Sequence, residues 1–247
     1  MAGQNGAKGV EPPHALRTRF VPAEPRGAVL LLHGGRSEAL TPPPLLNLPR
    51  ARMRPFGSAI LRTTAGQDTL LATVHYRYRG WNGSRTDPVH DAFTALDELE
   101  LLAPSVPVVL VGHSMGARAA LRAAGHRHVR GVVALAPWCP PGEPVTQLRD
   151  RDVIFLHDEQ DPVTDAQGSW EFLRRSREAG ARTCGISMPR GRHAMLRDAR
   201  AWHRLTAALT TGVLGTTPLP PSVTAAPSGD DTVLTADRVL SELRREP

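Results

Sequence analysis

The stretch VVLVGHSMGARAAL, residues 108–121, decides the fold of this chain. It opens with an apolar run typical of a strand buried on both faces and closes with an alanine-rich segment that favours a helix. Between them stands the pattern G-x-S-x-G, formed by Gly112, Ser114 and Gly116. A serine at a sharp strand-to-helix turn needs tiny neighbours two residues away, because larger side chains would clash. The pattern predicts a reactive serine; a plain strand–turn–helix connection is the alternative.

Apolar strands alternate with helical segments on both sides of this motif. We predict strands at 15–21, 29–32, 70–78, 106–111, 129–135, 153–156 and 183–188. Helices are predicted at 45–62, from the N-cap Asp87 to about Leu102, at 114–124, at 170–179 and at 198–209. Such alternation indicates βαβ units, and therefore an α/β fold with a doubly wound, mostly parallel sheet and helices on both faces.

The composition changes along the chain indicate how it is organised. Residues 1–25 are polar and rich in Gly and Pro, which predicts a loose lead-in. Residues 26–215 carry the alternating elements and form the predicted α/β domain. Residues 216–247 begin as a flexible linker by composition and end in a short amphipathic helix that either docks on the domain or extends from it. In open α/β sheets, ligands bind beyond the carboxyl ends of the strands.

The sequence resembles the α/β-hydrolase-fold enzymes from about Gly27 to Leu209, and GHSMG at 112–116 matches their nucleophile elbow. The resemblance implies an esterase- or lipase-like serine hydrolase with Ser114 as nucleophile. It also implies that an acid and then a histidine follow in chain order. A serine at the elbow disfavours relatives that use a carboxylate nucleophile.

The acid and the base implied by the resemblance fall in loops behind two later strands. The loop HDEQDPV, residues 157–163, supplies Asp161 in a family-like D-P-V setting, with Asp158 as the second candidate and Glu159 as a further competitor. The loop SMPRGRHAML supplies His193 before the final helix. The other histidines belong to glycine motifs, strands, helices or the lead-in, and they fit the family position less well.

The oxyanion hole of the family consists of two backbone N–H donors. The first donor expected here is Met115, directly after the nucleophile. The second lies in the loop after LLLHGG, where Gly35 is the first choice and Arg36 the second. Glycines allow the backbone to approach a substrate closely, although HGG after a strand is also a plausible plain turn.

The spacing between motifs bears on the substrate. Only 47 residues separate Ser114 from Asp161, which leaves the excursion 137–150 too short for a multi-helix lid. We therefore predict an open site with a minimal cap or none. Trp81, Trp138 and the segment APWCPPG are expected to shape its mouth, with buried packing as the alternative for Trp138. Arg36 and Arg192 flank the site and favour an anionic substrate group, unless they are ordinary surface arginines.

Composition excludes several other classes of function. The formal net charge is +6, but only one lysine occurs (Lys8) and the 29 arginines are scattered, which disfavours nucleic-acid binding. The two cysteines, Cys139 and Cys184, form neither a disulfide framework nor a CxxC pair.

There is no signal-peptide pattern and no apolar run of spanning length, so we expect a cytoplasmic protein without a membrane span. No metal-ligand spacing is present, so no metal or cofactor is expected.

The leading hypothesis is a hydrolase that acts on a small-molecule carboxylic ester or thioester. An acyltransferase would use the same three residues, and the sequence does not separate the two. A non-catalytic binding protein with the same fold is the alternative from another class, because fold alone does not fix function. None of the expected catalytic positions is missing from this sequence. The oligomeric state is left open.

Overall fold

A computed structural model of the protein describes residues 14–65, 68–226 and 233–244. An eight-stranded sheet in the order β1-β3-β2-β4-β5-β6-β7-β8 forms its centre. The strands are β1 Leu16–Phe20, β2 Gly27–Leu32, β3 Thr69–Val74, β4 Val108–His113, β5 Val129–Leu135, β6 Asp152–His157, β7 Arg182–Ser187 and β8 Val233–Thr235. Only β1 is antiparallel to its neighbour; every other pairing is parallel.

Helices cover both faces of the sheet. They are α1 Leu48–Arg52, α2 Arg54–Thr63, α3 Asp87–Leu102, α4 Met115–Ala123, α5 Ala166–Glu178, α6 Ala199–Leu214, α7 Pro221–Ala225 and α8 Ala236–Glu242. One apolar core lies between the sheet and helices α3, α4 and α5. A second core lies on the opposite face beneath α2, α6 and α8. The predicted fold class is confirmed, because side chains of the central strands alternate between two buried cores, as parallel sheets require.

The predicted single helix over residues 45–62 is wrong. The helical segment begins only at Leu48, where the Asn47 side chain accepts the N–H of Arg50, and it breaks at Met53 into α1 and α2. Pro49 and Pro55 each lie in the first turn of a helix. Proline is tolerated there because the missing N–H has no partner within the helix.

The last helix of the predicted domain is longer than expected, since α6 continues to Leu214 and is closed by Gly215 in the left-handed region at φ 84°. Beyond it, the structure shows α7, and β8 pairs in parallel with β7. The expected terminal helix is present as α8. Residues 227–232 of the predicted linker and residues 1–13 of the predicted lead-in lie outside the described residues.

The connection between β5 and β6 bears on access to the site. Residues 136–151, all of which are described, contain one short 3-10 turn at Thr146–Leu148 and no α-helix. The prediction of little or no cap at this position therefore agrees with the structure. Among the described helices, none has the length and apolarity that crossing a membrane requires.

Candidate active site

Ser114 occupies the turn between β4 and α4 in a strained backbone conformation. Its φ of 55° and ψ of −119° lie outside the regions that most residues adopt. The turn also brings two chain segments very close, because a Cβ atom on Gly116 would overlap the carbonyl oxygen of Leu32 on the neighbouring strand. Only glycine fits at that position. The G-x-S-x-G pattern thus reflects close contact between the start of α4 and the end of β2.

The structure brings Ser114, His193 and Asp161 together in one hydrogen-bonded line. The Nε2 atom of His193 lies 3.0 Å from the Oγ atom of Ser114. The Nδ1 atom of the same ring lies 2.8 Å from Oδ2 of Asp161. Ser114 follows β4, Asp161 follows β6 and His193 follows β7, so all three stand at the carboxyl ends of parallel strands. This is the edge at which α/β sheets place their ligands.

Asp158, the second candidate for the acid, has different partners. Its carboxylate accepts the backbone N–H of Arg192 at 2.7 Å and that of Gln160 at 2.9 Å. Arg192 itself has a positive φ of 48°. Asp158 therefore ties the loop that carries His193 to the loop that carries Asp161. The other competitor, Glu159, accepts a hydrogen bond from the hydroxyl of Ser187.

Two neighbours of Asp161 were not anticipated from the sequence. His157 is fully buried, with Nε2 at 3.2 Å from Oδ2 of Asp161 and Nδ1 at 2.8 Å from the Ser169 hydroxyl. The Thr164 hydroxyl donates to the same Oδ2 at 2.8 Å. One feature of the sequence could have indicated this contact: His157 stands at the end of a strand, four residues before Asp161.

These contacts set the charge of Asp161. Its side chain is inaccessible to solvent, and burial by itself would raise the pKa of the carboxyl. Hydrogen bonds from His157, His193, the Val163 N–H and Thr164 outweigh burial and hold the pKa far below its usual range. Asp161 is therefore a stable carboxylate, able to orient an imidazole and to balance its positive charge.

The histidine that precedes the serine supports the loop of His193. The Nε2 atom of His113 donates to the backbone carbonyl of His193 at 2.9 Å, and the two rings lie 4.9 Å apart. Burial, together with the nearby His193, lowers the pKa of His113 to about 3. His113 is therefore neutral near pH 7.

The two residues expected to supply the oxyanion donors, Met115 and Gly35, are in contact with each other. The Met115 N–H occupies the first position of α4, where a helix provides no acceptor for it. Gly35 lies directly against Met115, since a Cβ atom on Gly35 would be 2.5 Å from the Met115 sulfur. Arg36, the second choice, uses its N–H in a 2.9 Å hydrogen bond to the carbonyl of Arg79. The structure thus favours Gly35 over Arg36 as a free donor.

The two tryptophans predicted at the mouth enclose an arginine. The guanidinium carbon of Arg118 lies 3.7 Å from the ring centre of Trp81 and 4.3 Å from that of Trp138. Arg118 also donates to the buried carboxylate of Glu143. Trp81 is only 3% exposed, so it contributes through this stack rather than as an open surface. Trp138 is half-buried, and its backbone N–H donates to the carbonyl of Ser114 at 3.3 Å.

A cavity of about 570 Å³ adjoins these residues. It is lined by Trp138 and Thr164 and by the segment Cys139 to Gly142. Thr164 also contacts both Asp161 and His193, so one residue separates this cavity from the candidate acid and base. The predicted roles of Arg36 and Arg192 in binding an anionic group remain predictions; both side chains are exposed.

Several solved structures share this fold. Est1E from Butyrivibrio proteoclasticus, with ferulic acid bound, has a TM-score of 0.60 and 11% identity, covering 81% of this chain and 96% of its own. An alpha/beta hydrolase from a Medee basin deep-sea metagenome has a TM-score of 0.60 and 16% identity over 77% of this chain and 86% of its own. A monoacylglycerol lipase from Paleococcus ferrophilus has a TM-score of 0.54 and 16% identity, covering 82% and 99%. At these identities the likeness shows the fold alone.

Comparison of the sequence with curated proteins gives no match. The family model described as "Alpha/beta hydrolase family" matches residues 29–247. This match extends over most of the chain, and it includes the strand before the HGG turn, the serine elbow and the loops of Asp161 and His193. The chain therefore belongs to the alpha/beta hydrolase family.

Proposed function

We propose that this protein is a serine hydrolase that cleaves a carboxylic ester or thioester through an acyl-enzyme on Ser114. One observation carries the proposal: the unbroken line of hydrogen bonds from the Ser114 hydroxyl through His193 to the Asp161 carboxylate. A nucleophile in contact with a base, and a base in contact with an orienting group, is the arrangement that activates a serine.

The first half of the reaction would begin with the proton of Ser114. His193 Nε2 accepts it while the Ser114 oxygen attacks the carbonyl carbon, and the carbonyl oxygen gains the negative charge. The N–H groups of Met115 and Gly35 are proposed to stabilise that oxyanion. The tetrahedral intermediate then expels the alcohol or thiol, which takes the proton from His193. The acyl group stays on Ser114.

Water would complete the cycle. His193 removes a proton from a water molecule, the resulting hydroxide attacks the acyl carbon, and the carboxylic acid leaves as Ser114 regains its proton. Asp161 remains ionised throughout, because four hydrogen bonds favour its charged form. Its role is to hold the imidazole in the tautomer with a proton on Nδ1 and to balance the imidazolium.

The surroundings of the site favour hydrolysis of small or extended acyl substrates. The β5–β6 connection contains no helix that would close over Ser114, so water has access to the acyl-enzyme. Two of the structurally similar proteins are Est1E, solved with ferulic acid bound, and a monoacylglycerol lipase, and the second name supports an ester substrate for this chain. Trp138 and the adjoining cavity are the proposed acyl-binding surface.

The test is covalent labelling with a fluorophosphonate probe, which reacts with activated serines. We expect one label per chain, on Ser114, and no labelling of Ser114→Ala. Ser58→Ala, which changes an exposed serine on α2, is the matched control and should be labelled like the parent. Labelling that survives in Ser114→Ala would overturn the assignment. A screen of p-nitrophenyl esters and matching thioesters of increasing chain length then measures which substrate class is preferred.

A further inference from the structure

Histidine and carboxylate side chains also converge at the opposite edge of the sheet from Ser114. Asp97 and Glu100 lie three residues apart on α3, so they project from the same face of that helix. His126 and His128 lie in the turn between α4 and β5, directly before the amino end of β5. Ser114 stands at the carboxyl ends of the strands, so this cluster is separate from the candidate active site.

The side chains of the cluster already form two short contacts. The Nε2 atom of His126 lies 3.4 Å from Oδ1 of Asp97, and the Nε2 atom of His128 lies 3.0 Å from Oε1 of Glu100. Ligand atoms of Asp97, Glu100 and His126 all fall within 4.8 Å of one another. Within the described part of the chain, no other group of three such side chains converges in this way.

Burial makes the two histidines unusual. His126 is 8% exposed, and its Nε2 atom is buried without a hydrogen-bond partner among the described residues. The Nε2 atom of His128 is also buried, and its 3.0 Å contact with Glu100 does not have the geometry of a hydrogen bond. A buried polar atom without a partner costs free energy and calls for an explanation. Both nitrogens face carboxylate oxygens, which is the arrangement that a cation between them would satisfy.

We propose that Asp97, Glu100, His126 and His128 form a binding site for a divalent transition-metal ion of the zinc type. Neutral imidazole and carboxylate are ligands that zinc prefers, and hard cations such as Mg²⁺ prefer oxygen alone. Donor atoms around tetrahedral zinc, at bond lengths near 2.1 Å, lie about 3.4 Å apart. The pair His126–Asp97, at 3.4 Å, already has this separation, and the pair His128–Glu100, at 3.0 Å, is slightly closer.

Closing the site requires three small changes. The donor atoms of Asp97, Glu100 and His126, now up to 4.8 Å apart, must approach, and His128, which contacts only Glu100 of these three, must move with that carboxylate. Asp97, whose side chain is 68% exposed, is free to move. When zinc binds Nε2 of His126, the ring proton must lie on Nδ1. The Nδ1 atom then no longer accepts the backbone N–H of His128, which lies 3.4 Å away. Arg127, 66% exposed and paired with Glu100, must turn outward to solvent. The bound ion would cross-link α3 to the α4–β5 turn.

Isothermal titration of the tag-free, metal-stripped protein with Zn²⁺ tests this site. We expect one equivalent of Zn²⁺ to bind and to raise the melting temperature, since a ligand that binds only the folded state stabilises it. His126→Gln and Asp97→Asn should each weaken binding at least about tenfold, the smallest effect typical of losing a group that supports a metal. Arg127→Ala should tighten binding, because it removes the cation that competes for Glu100.

Two control variants separate this site from other histidines. His203→Gln, on α6, and His193→Gln, in the candidate active site, should bind Zn²⁺ like the parent. Loss of binding in His193→Gln, with none in Asp97→Asn, would place the metal at the active site and overturn the proposal. Equal affinity for Mg²⁺, or an absence of stoichiometric binding, would also overturn it. Asp97→Asn alters an exposed side chain, so it remains informative if His126→Gln does not fold.

Discussion

The Nε2 atom of His157 lies 3.2 Å from Oδ2 of Asp161, the same oxygen that contacts Nδ1 of His193. One carboxylate oxygen thus contacts two histidines, one at the end of β6 and one in the loop after β7. His157 is itself anchored by the Ser169 hydroxyl at the start of α5. The second histidine therefore connects the candidate active site to the buried side of the β6–α5 connection.

We expect His157→Leu to lower kcat by about 10- to 100-fold while KM changes little. The lost hydrogen bond to a charged group corresponds to about 1.5–3 kcal/mol. His157 is a positioning residue, since it does not contact Ser114. His157→Gln keeps an amide N–H near the position of Nε2 and should recover most of the activity. Steady-state kinetics with one ester substrate measure kcat and KM of both variants. Equal losses of kcat in His157→Leu and His157→Gln would mean that His157 serves only to pack the core.

Asp161→Asn should reduce kcat far more than Asp158→Asn. An amide at position 161 favours the wrong tautomer of the His193 ring, and we expect this to lower kcat by about 10⁴-fold. Asp158 accepts two backbone N–H groups and has no hydrogen bond to His193, so its change should act through loop stability. Comparing kcat and melting temperature for both variants checks this assignment. A larger kcat loss in Asp158→Asn would exchange the two roles.

Gly116→Ala should destabilise the fold by about 1–3 kcal/mol or more, because the added methyl group overlaps the carbonyl oxygen of Leu32. Gly125→Ala is the matched control. Its Cβ atom would meet only the Gln147 side chain, at 3.3 Å. Urea denaturation measures both changes. A Gly116→Ala protein as stable as the control would contradict the close contact between β2 and α4.

The free energy of unfolding should decrease as the pH falls below about 6.5. Burial lowers the pKa of His113 to about 3 and that of His33 to about 4, so in this range the unfolded chain binds protons that the folded chain does not. Between pH 7.5 and 5, each histidine should cost roughly 2 kcal/mol of stability. Urea denaturation at several pH values measures this slope. His113→Gln should show a shallower slope than the parent, and an unchanged slope would argue against a buried neutral imidazole.

Arg118→Met should destabilise the protein by about 3 kcal/mol. Removing one partner of a buried ion pair typically costs about 3–5 kcal/mol, and Arg122 remains to pair with Glu143. The variant also loses the stacking of the guanidinium between Trp81 and Trp138. Arg174→Met is the control, because its ion pairs with Glu171 and Glu178 lie on the surface, where such pairs contribute little to stability. Thermal melts of both variants should differ clearly; similar shifts would contradict a buried role for Arg118.

Local patterns in the sequence anticipated most strands of this fold. The strand at 129–135 has the predicted bounds, and the other central strands differ from prediction by one to a few residues. Runs of apolar residues reveal such strands because each one is buried on both faces. The prediction of one helix over 45–62 was wrong. The prolines in this segment allow a helix to start but not to continue, and the spacing of apolar residues does not show at which residue the helix is interrupted. The strand Val233–Thr235 was missed because three residues are too few to show a pattern.

What the sequence by itself determined is the fold class and the serine elbow, and the resemblance to the family implied the order in which an acid and a histidine follow that serine. The fold class and the elbow depend on residues that are close together in the chain, where apolar periodicity and turn chemistry act directly. Only the tertiary structure decided that Asp161 rather than Asp158 meets His193, that His157 joins them, and that Arg118 lies between two tryptophans. Those contacts join residues from separate loops, and their distances depend on how parallel strands bring their carboxyl ends together.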